Sequence, residues 1–509
     1  MALPGLYAAY RDCPPRRSVA IYLLILYTVT TVILAAAPGA LSAVQAGWQD
    51  VTRLTNNDAT SFTAPNNCKW LAVDPNGTLH VVWLDERDRN FEIYHKMRVG
   101  GIWLDDERVT NDPAYSARPN LAVDGEGWLH LVWNDNRDGN MEIYHNVWTG
   151  VWNVEERVTN TSGDSFGSSI VADDDTLHMV YMEEVSNHLQ VMYRTYRNNA
   201  WSAAMPLTDV PTGNRMVPTI AIGPDKSLHV AWWDTRVDTL IGKIYYRKKA
   251  GGVWLGEELL TDPAMNAMRP DIAVDDSGFA HVAWIDARGS REQIYYRRCG
   301  PAGWEPEIAL TNEPVTHYHP SIAAAGGEAF IAYWQEISET NTEIMFRRRV
   351  AGSWTASVQI SNGAGTSELP CLIAEPNGNL HLAWVDSRDG NQEIYYREYI
   401  DPQNGTGGGG DEHPPALSVP FVLTSSPNPF RGATMIELSV SEECPSSIVI
   451  YDVNGRCVRK LFSRTLARGA HTFTWDGTDD AGRASAAGIY FVVGRAGKSR
   501  IERKIVLVR

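Results

Sequence analysis

The 509-residue chain is 44% apolar, holds 42 glycines, 27 prolines and 18 tryptophans, and carries a net charge of −16. That composition provides for real cores in more than one domain. The acidity is uneven: residues 420–509 hold thirteen Lys/Arg against eight Asp/Glu, net +5, leaving −23 on residues 47–419, a field that repels phosphate backbones and excludes nucleic acid as a natural partner.

Residues 1–46 read as an export signal. Arg11, Arg16 and Arg17 precede an apolar run at 19–37, and Val44, Gln45 and Ala46 offer small residues for cleavage. The run is also long enough to serve as an uncleaved anchor. Cleavage leaves Cys68, Cys299, Cys371, Cys444 and Cys457, with no metal-ligand spacing among them. Cys444 and Cys457 either bridge locally or are two buried free thiols.

From residue 47 onward one unit returns seven times. Its clearest copy, LHLVWNDNRDGNMEIYHNV at 129–147, is two alternating runs around a turn of hairpin chemistry. Its aromatic recurs as Trp83, Trp133, Tyr181, Trp232, Trp284, Tyr333 and Trp384, 48 to 52 residues apart. One strand precedes each hairpin, as in RPNLAVD at 118–124, and one follows it, as in WLDDERVT at 103–110. Four antiparallel strands in about fifty residues are the size of a propeller blade. The last hairpin has no closing W…LT strand, whereas WQDVTRLT at 48–55 stands ahead of the first. The spacing therefore predicts an all-β fold: a seven-bladed β-propeller over 47–400, closed by its N-terminal strand, which leaves no open sheet edge.

These units resemble sialidase-like propellers with Asp-box repeats, on the turns Asp74-Pro75-Asn76-Gly77, Asp124-Gly125-Glu126-Gly127 and Asp275-Asp276-Ser277-Gly278. The leading Ser of an Asp box is absent, and no F-R-I-P segment or Tyr-Glu pair stands out. The resemblance implies a propeller fold and, if its chemistry carried over, exo-glycoside hydrolysis of the sialidase type.

The repeats separate scaffold from site. His80, His130, His178, His229, His281 and His381 recur in six blades, too dispersed to converge, and are expected to be structural. The pairs Asp85/Arg87, Asp135/Arg137, Asp234/Arg236, Asp286/Arg288 and Asp386/Arg388 read as turn braces. A Ca2+ loop is the alternative, since Asp135, Asp138, Asn140 and Glu142 crowd oxygens together; the arginine argues against it, and no other cofactor is indicated. Symmetry breaks where the first strands open: Lys69, Arg118, Arg215, Arg269, His317 and His319, with Glu368, form a basic group on an acidic ring, suited to a carboxylate or sulfate at the channel mouth. Trp70, Trp128 and Trp233 depart from the consensus and are candidate sugar-stacking platforms.

Residues 401–419, DPQNGTGGGGDEHPPALSV, have linker composition. The remaining stretch, 420–509, reads as an Ig-like sandwich of short strands at 434–440, 447–451, 458–462, 471–475, 488–493 and 504–508. It resembles the C-terminal sorting domains of bacterial type IX secretion cargo and the Ig-like domain of flagellar hook-capping proteins. The motifs are Pro427-Asn428-Pro429-Phe430, IYDVNG at 450–455, Trp475-Asp476-Gly477, Asp479-Asp480-Ala481-Gly482 and RKIVLVR at 503–509. The resemblance implies export through the outer-membrane secretion machinery, and hence a secreted or cell-surface protein. The propeller would then bind a glycan or protein at one face of the ring.

Overall fold

A computed structural model describes residues 47–63, 69–208, 212–238, 241–262, 265–402, 422–426, 430–440, 444–453, 456–480, 482–496 and 499–508. The export signal, Cys68, nearly all of the 401–419 linker, Pro427-Asn428-Pro429, Asn454-Gly455 and Ala481 lie outside the described residues.

Seven antiparallel sheets follow one another at the repeat spacing, and the first strand of each packs on the first strand of the next, the seventh meeting the first. Blade two shows the plan: Ser116–Val123 innermost, then Leu129–Asp135, Glu142–Trp148 and Glu156–Arg157. The alternating pattern of the hairpin leads one to expect a covered and a solvated face. Instead every residue of Leu129–Asp135 is buried. A blade's middle strand has a neighbouring blade on both sides, so alternation here distributes side chains between two interfaces. The closing strand, expected as one run over 103–110, is two short pairings, Ile102–Trp103 and Glu107–Arg108, both on Glu92–Val99.

The seam closes as the spacing predicts. Trp48 pairs with Tyr399, Thr52 with Tyr396 and Arg53 with Tyr395. Arg53 binds Glu393 at 2.9 Å and Asp389 at 3.1 Å. That repeats Arg157 on Glu142 and Asp138 at 3.0 and 3.1 Å within blade two. The N-terminal segment is thus chemically an ordinary fourth strand.

The closing-strand tryptophans hold the ring together. Each sets its ring edge on an aromatic of the preceding blade: Trp304 on Tyr246 at 4.9 Å, Trp354 on Tyr296 at 5.0 Å, Trp152 on His95 at 5.2 Å, and Trp103 of blade one on Tyr396 of blade seven at 5.0 Å. Such edge contacts are each worth about 0.5–1.5 kcal/mol beyond the buried area. Beside them Arg297 and Arg397 donate to the carbonyls of Leu260 and Ile360, one blade back, at 2.8 and 2.9 Å.

The Asp-box turns are local structure. Asp275 accepts from the backbone of Ser277 and Phe279 at 2.9 Å each, and its other oxygen lies 3.1 Å from His281 Nε2. The Asp-x-Arg pairs brace turns: Asp135 takes Nε of Arg137 at 2.9 Å and Nη2 at 2.6 Å, with Ser116 Oγ at 2.9 Å and Trp133 Nε1 at 3.1 Å. Burial alone would raise the Asp135 carboxyl; the hydrogen bonds from Arg137 outweigh it and hold it below the usual range. Glu142, another acid of the loop, is engaged by Asn140, Arg157 and the backbone of Thr161. Among the described residues no three metal-ligating side chains converge.

The C-terminal region is a sandwich of two sheets. Val422–Ser426, Thr434–Val440 and Gly469–Trp475 form one, and Cys457–Leu466, Cys444–Asp452, Gly488–Ala496 and Ser499–Leu507 the other. Leu423, Phe430, Ile436, Ile450, Trp475 and Ile505 fill the space between them. Val422–Ser426 is a seventh strand that the motif reading leaves out. Cys444 and Cys457 lie at opposite ends of one hairpin, paired with Leu466 and Tyr451. Neither is bridged, and Cys457 is exposed rather than buried.

Candidate functional site

The site is built by a backbone irregularity repeated around the axis. In blades two to seven the first strand slips by one residue against its neighbour, as between Ala117 and Asn120 in blade two. The residue at the slip takes a left-handed conformation: Arg118 (φ 54°), Gly167 (63°), Val217 (51°), Arg269 (52°), His319 (48°) and Leu369 (53°). Only Gly167 does so freely. For the others the conformation costs about 1–2 kcal/mol each, most for β-branched Val217. A bulge bends the strand and re-aims its side chains. Here it falls near the opening end of each first strand, the end away from the Asp-box turns.

These positions touch across blades. Arg269 Nη1 of blade five lies 2.6 Å from Nε2 of His319 in blade six, and its guanidinium lies over the ring of Tyr318, 5.4 Å from the centroid. Trp334 Nε1 lies 2.9 Å from His319 Nδ1. Burial, reinforced by the charge of Arg269, holds His319 well below the usual histidine range, so its ring is neutral. A neutral imidazole has one lone pair and one N–H. It can accept from Trp334 or from Arg269, not from both, and whichever nitrogen carries the proton is a further donor. Arg269 and Trp334 thus each turn a donor toward the ring of His319. Arg118 of blade two makes the corresponding move three blades earlier, over Phe166 of blade three at 5.9 Å.

Lys69 comes from blade one and donates to the carbonyl of Ile220 in blade four, spanning the axis. Burial lowers its ammonium, opposed by Asp271. Asp271 is itself raised by burial, opposed by Lys69 and by hydrogen bonds from Ile322, Ile272 and Thr219. Through these contacts Lys69 and Asp271 link blades one, four, five and six. Arg215 and His317 lie elsewhere. They occupy the place of Ser116 and point into their own blades: Arg215 is fully buried, 3.6 Å from Asp234 and 3.0 Å from the carbonyl of Gly213, and His317 is 3.4 Å from Glu313. Glu368 stands next to Leu369, its carboxyl raised by burial.

The structure therefore brings Arg269 and His319 together, sets Lys69 on the backbone of blade four, and keeps Arg215 and His317 inside the sheets. Of the three tryptophans singled out, Trp70 is 2% exposed and belongs to the core, Trp128 is 43% exposed on an Asp-box turn, and Trp233 packs against Met216 and Val217 near the mouth. Tyr318, Trp334 and Phe166, all half-buried, are mouth aromatics that the sequence reading omits. Their signal is present: each occupies a position that differs from blade to blade, as the scaffold positions do not.

The fold is that of a seven-bladed β-propeller joined to an Ig-like domain. Residues 428–497 match the FlgD Ig-like domain. Among solved structures the chain is similar to the polysaccharide lyase Uly1, with a TM-score of 0.53 and 10% identity over 70% of this chain and 99% of that one. It is likewise similar to an ulvan lyase, at 0.50 and 10% identity over 66% and 94%. A Trypanosoma rangeli sialidase aligns more loosely, at 0.38 and 8% identity over 78% and 85%. These likenesses concern the fold. No curated protein matches the chain.

Proposed function

We propose that the propeller is a glycan-binding module that takes an acidic sugar at the channel mouth. The observation that carries this reading is the convergence of Arg269, His319 and Trp334, three donor groups beside the half-buried rings of Tyr318 and Trp334. Cationic donors fix a carboxylate or sulfate, and an aromatic face accepts the apolar side of a sugar ring. The ring's charge of −23 disfavours acidic polymers over most of its surface, so binding depends on local cationic donors such as those of the mouth. Structural neighbours that are polysaccharide lyases support a carbohydrate as the ligand class.

In the same reading residues 1–46 direct export across the inner membrane. The Ig-like domain engages the outer-membrane secretion machinery, and the protein works at the cell surface or outside the cell. The test is an array of neutral, carboxylated and sulfated oligosaccharides, run beside a panel of chromogenic glycosides. Retention of acidic glycans without turnover is the expected result. Release of chromophore would favour the sialidase-type hydrolase instead, and retention of none would remove the reading. Fractionation of cells producing the chain without residues 420–509 tests the export role, with loss of surface protein expected.

A further inference from the structure

Five blades carry the Asp-x-Arg brace, and in four of them the arginine has a second partner. Nη1 of Arg87 binds Asp106 at 2.7 Å, that of Arg137 binds Glu155 at 2.6 Å, that of Arg236 binds Glu257 at 2.6 Å, and that of Arg288 binds Glu307 at 2.7 Å. Each of these acids immediately precedes the second closing-strand pairing of its own blade. In blade seven that strand comes from the N-terminus. The register fixes the equivalent position: Arg53 pairs with Tyr395 as Arg108 pairs with Tyr94, so Val51 stands where blade one has Asp106. Arg388 keeps Nε at 2.8 Å and Nη2 at 2.5 Å from Asp386. Among the described residues no hydrogen bond joins its Nη1 to an acid, and Glu343 of blade six acts on its charge only through space.

Arg388 lines a cleft of about 470 Å3 between blades six and seven, with Val51, Asp50, Gln359, Asn362 and Arg397 around it. The brace to Asp386 and the ring of Tyr395, 4.5 Å from the guanidinium, fix the arginine in place, so an anion meets a donor that is already oriented. Arg397 adds a second positive charge, its Nε and Nη1 spent on the carbonyls of Gln49 and Ile360. Asp50 and Asn362 are exposed and suit hydroxyl groups.

We propose that this rim cleft is a second binding site, for the carboxylate or sulfate of an acidic sugar, in which the ligand supplies the oxyanion that Val51 does not. The inference rests on the acidic-glycan reading of the mouth but uses none of its residues. Val51→Glu tests it by restoring the acid present in the other four blades while leaving the Asp386–Arg388 brace intact. Titration calorimetry on the full chain would use glucuronate, inorganic sulfate and glucose as probes, in an Arg118→Ala/Arg269→Ala background that removes the mouth. Glucuronate and sulfate should bind, and glucose should not. Adding Val51→Glu should weaken both anions about tenfold or more, the loss of one charge-assisted contact, with an equal or higher Tm. Unchanged anion binding in Val51→Glu would overturn the site, as would equal binding of glucose or no anion binding in the background. Failure of the mouth reading shows separately, as no difference between the parent chain and the background variant.

Discussion

The hydroxyl of Tyr296 lies 2.7 Å from Nδ1 of His281, and Asp275 lies 3.1 Å from its other nitrogen. The ring is therefore neutral, accepting from the tyrosine and donating to the turn. Tyr246 and Tyr396 repeat the contact with His229 and His381, while His95 and His145 replace the tyrosine for His80 and His130. Each such partner also receives the tryptophan of the next blade, or of blade one in the case of Tyr396, so the histidine links turn, sheet and blade interface. Tyr296→Phe should cost about 1–3 kcal/mol, because it leaves a buried acceptor unpaired. A calorimetric Tm equal to that of the parent would contradict this.

The same burial sets a pH dependence. His95, His145, His178 and His229 are each lowered to about 4, chiefly by desolvation. An unfolded histidine takes its proton near pH 6.5. Between those values the unfolded chain binds more protons than the folded one, so stability is whole above about pH 6.5 and drains as pH falls toward 4. The loss is about 1.4 kcal/mol per pH unit for each histidine. Below that window the lowered carboxyls of Asp135 and Asp386 add to it. Tm measured from pH 8 to pH 4.5 should be level at first and then decline, and a level curve throughout would refute the assignment.

Two tryptophans should respond oppositely to truncation. Trp284 is fully buried with Nε1 on Asp286, and Trp284→Ala should cost about 3–5 kcal/mol. Trp128 is 43% exposed, and its removal should stay within about 0.5 kcal/mol. Parallel thermal melts check both.

Deleting residues 47–56 should lower Tm by far more than removing a surface loop of similar length. It strips blade seven of its closing strand, the Arg53–Glu393 pair and the contact of Trp48 with Phe346 at 5.0 Å. An unchanged melting temperature would mean that the ring closes some other way.

The ring was legible because scaffold residues repeat and the missing strand could be located by its tryptophan. The left-handed positions were not. Nothing in the composition marks Arg118, Val217 or Leu369 for positive φ, since only blade three spends a glycine there. Strand alternation also grouped Arg215 and His317 with the mouth. The bulge lies between those positions and the channel, and it leaves both residues facing the interior of a blade. The missing acid beside Arg388 was hidden for another reason: the position it would hold is 337 residues away in sequence, and only the closed seam brings Val51 beside it.

We propose that the mouth of the ring binds an acidic glycan through Arg269, His319 and Trp334, with Arg118 as a further cation at the equivalent position of blade two. The direct measurement is the affinity of the intact chain for a carboxylated oligosaccharide retained on the array, compared with Arg118→Ala/Arg269→Ala and with Trp128→Ala on the opposite face. The double variant should lose at least about tenfold in affinity at unchanged Tm, and Trp128→Ala should bind as the parent does. Parent-like affinity in the double variant, or a loss confined to Trp128→Ala, would contradict the account.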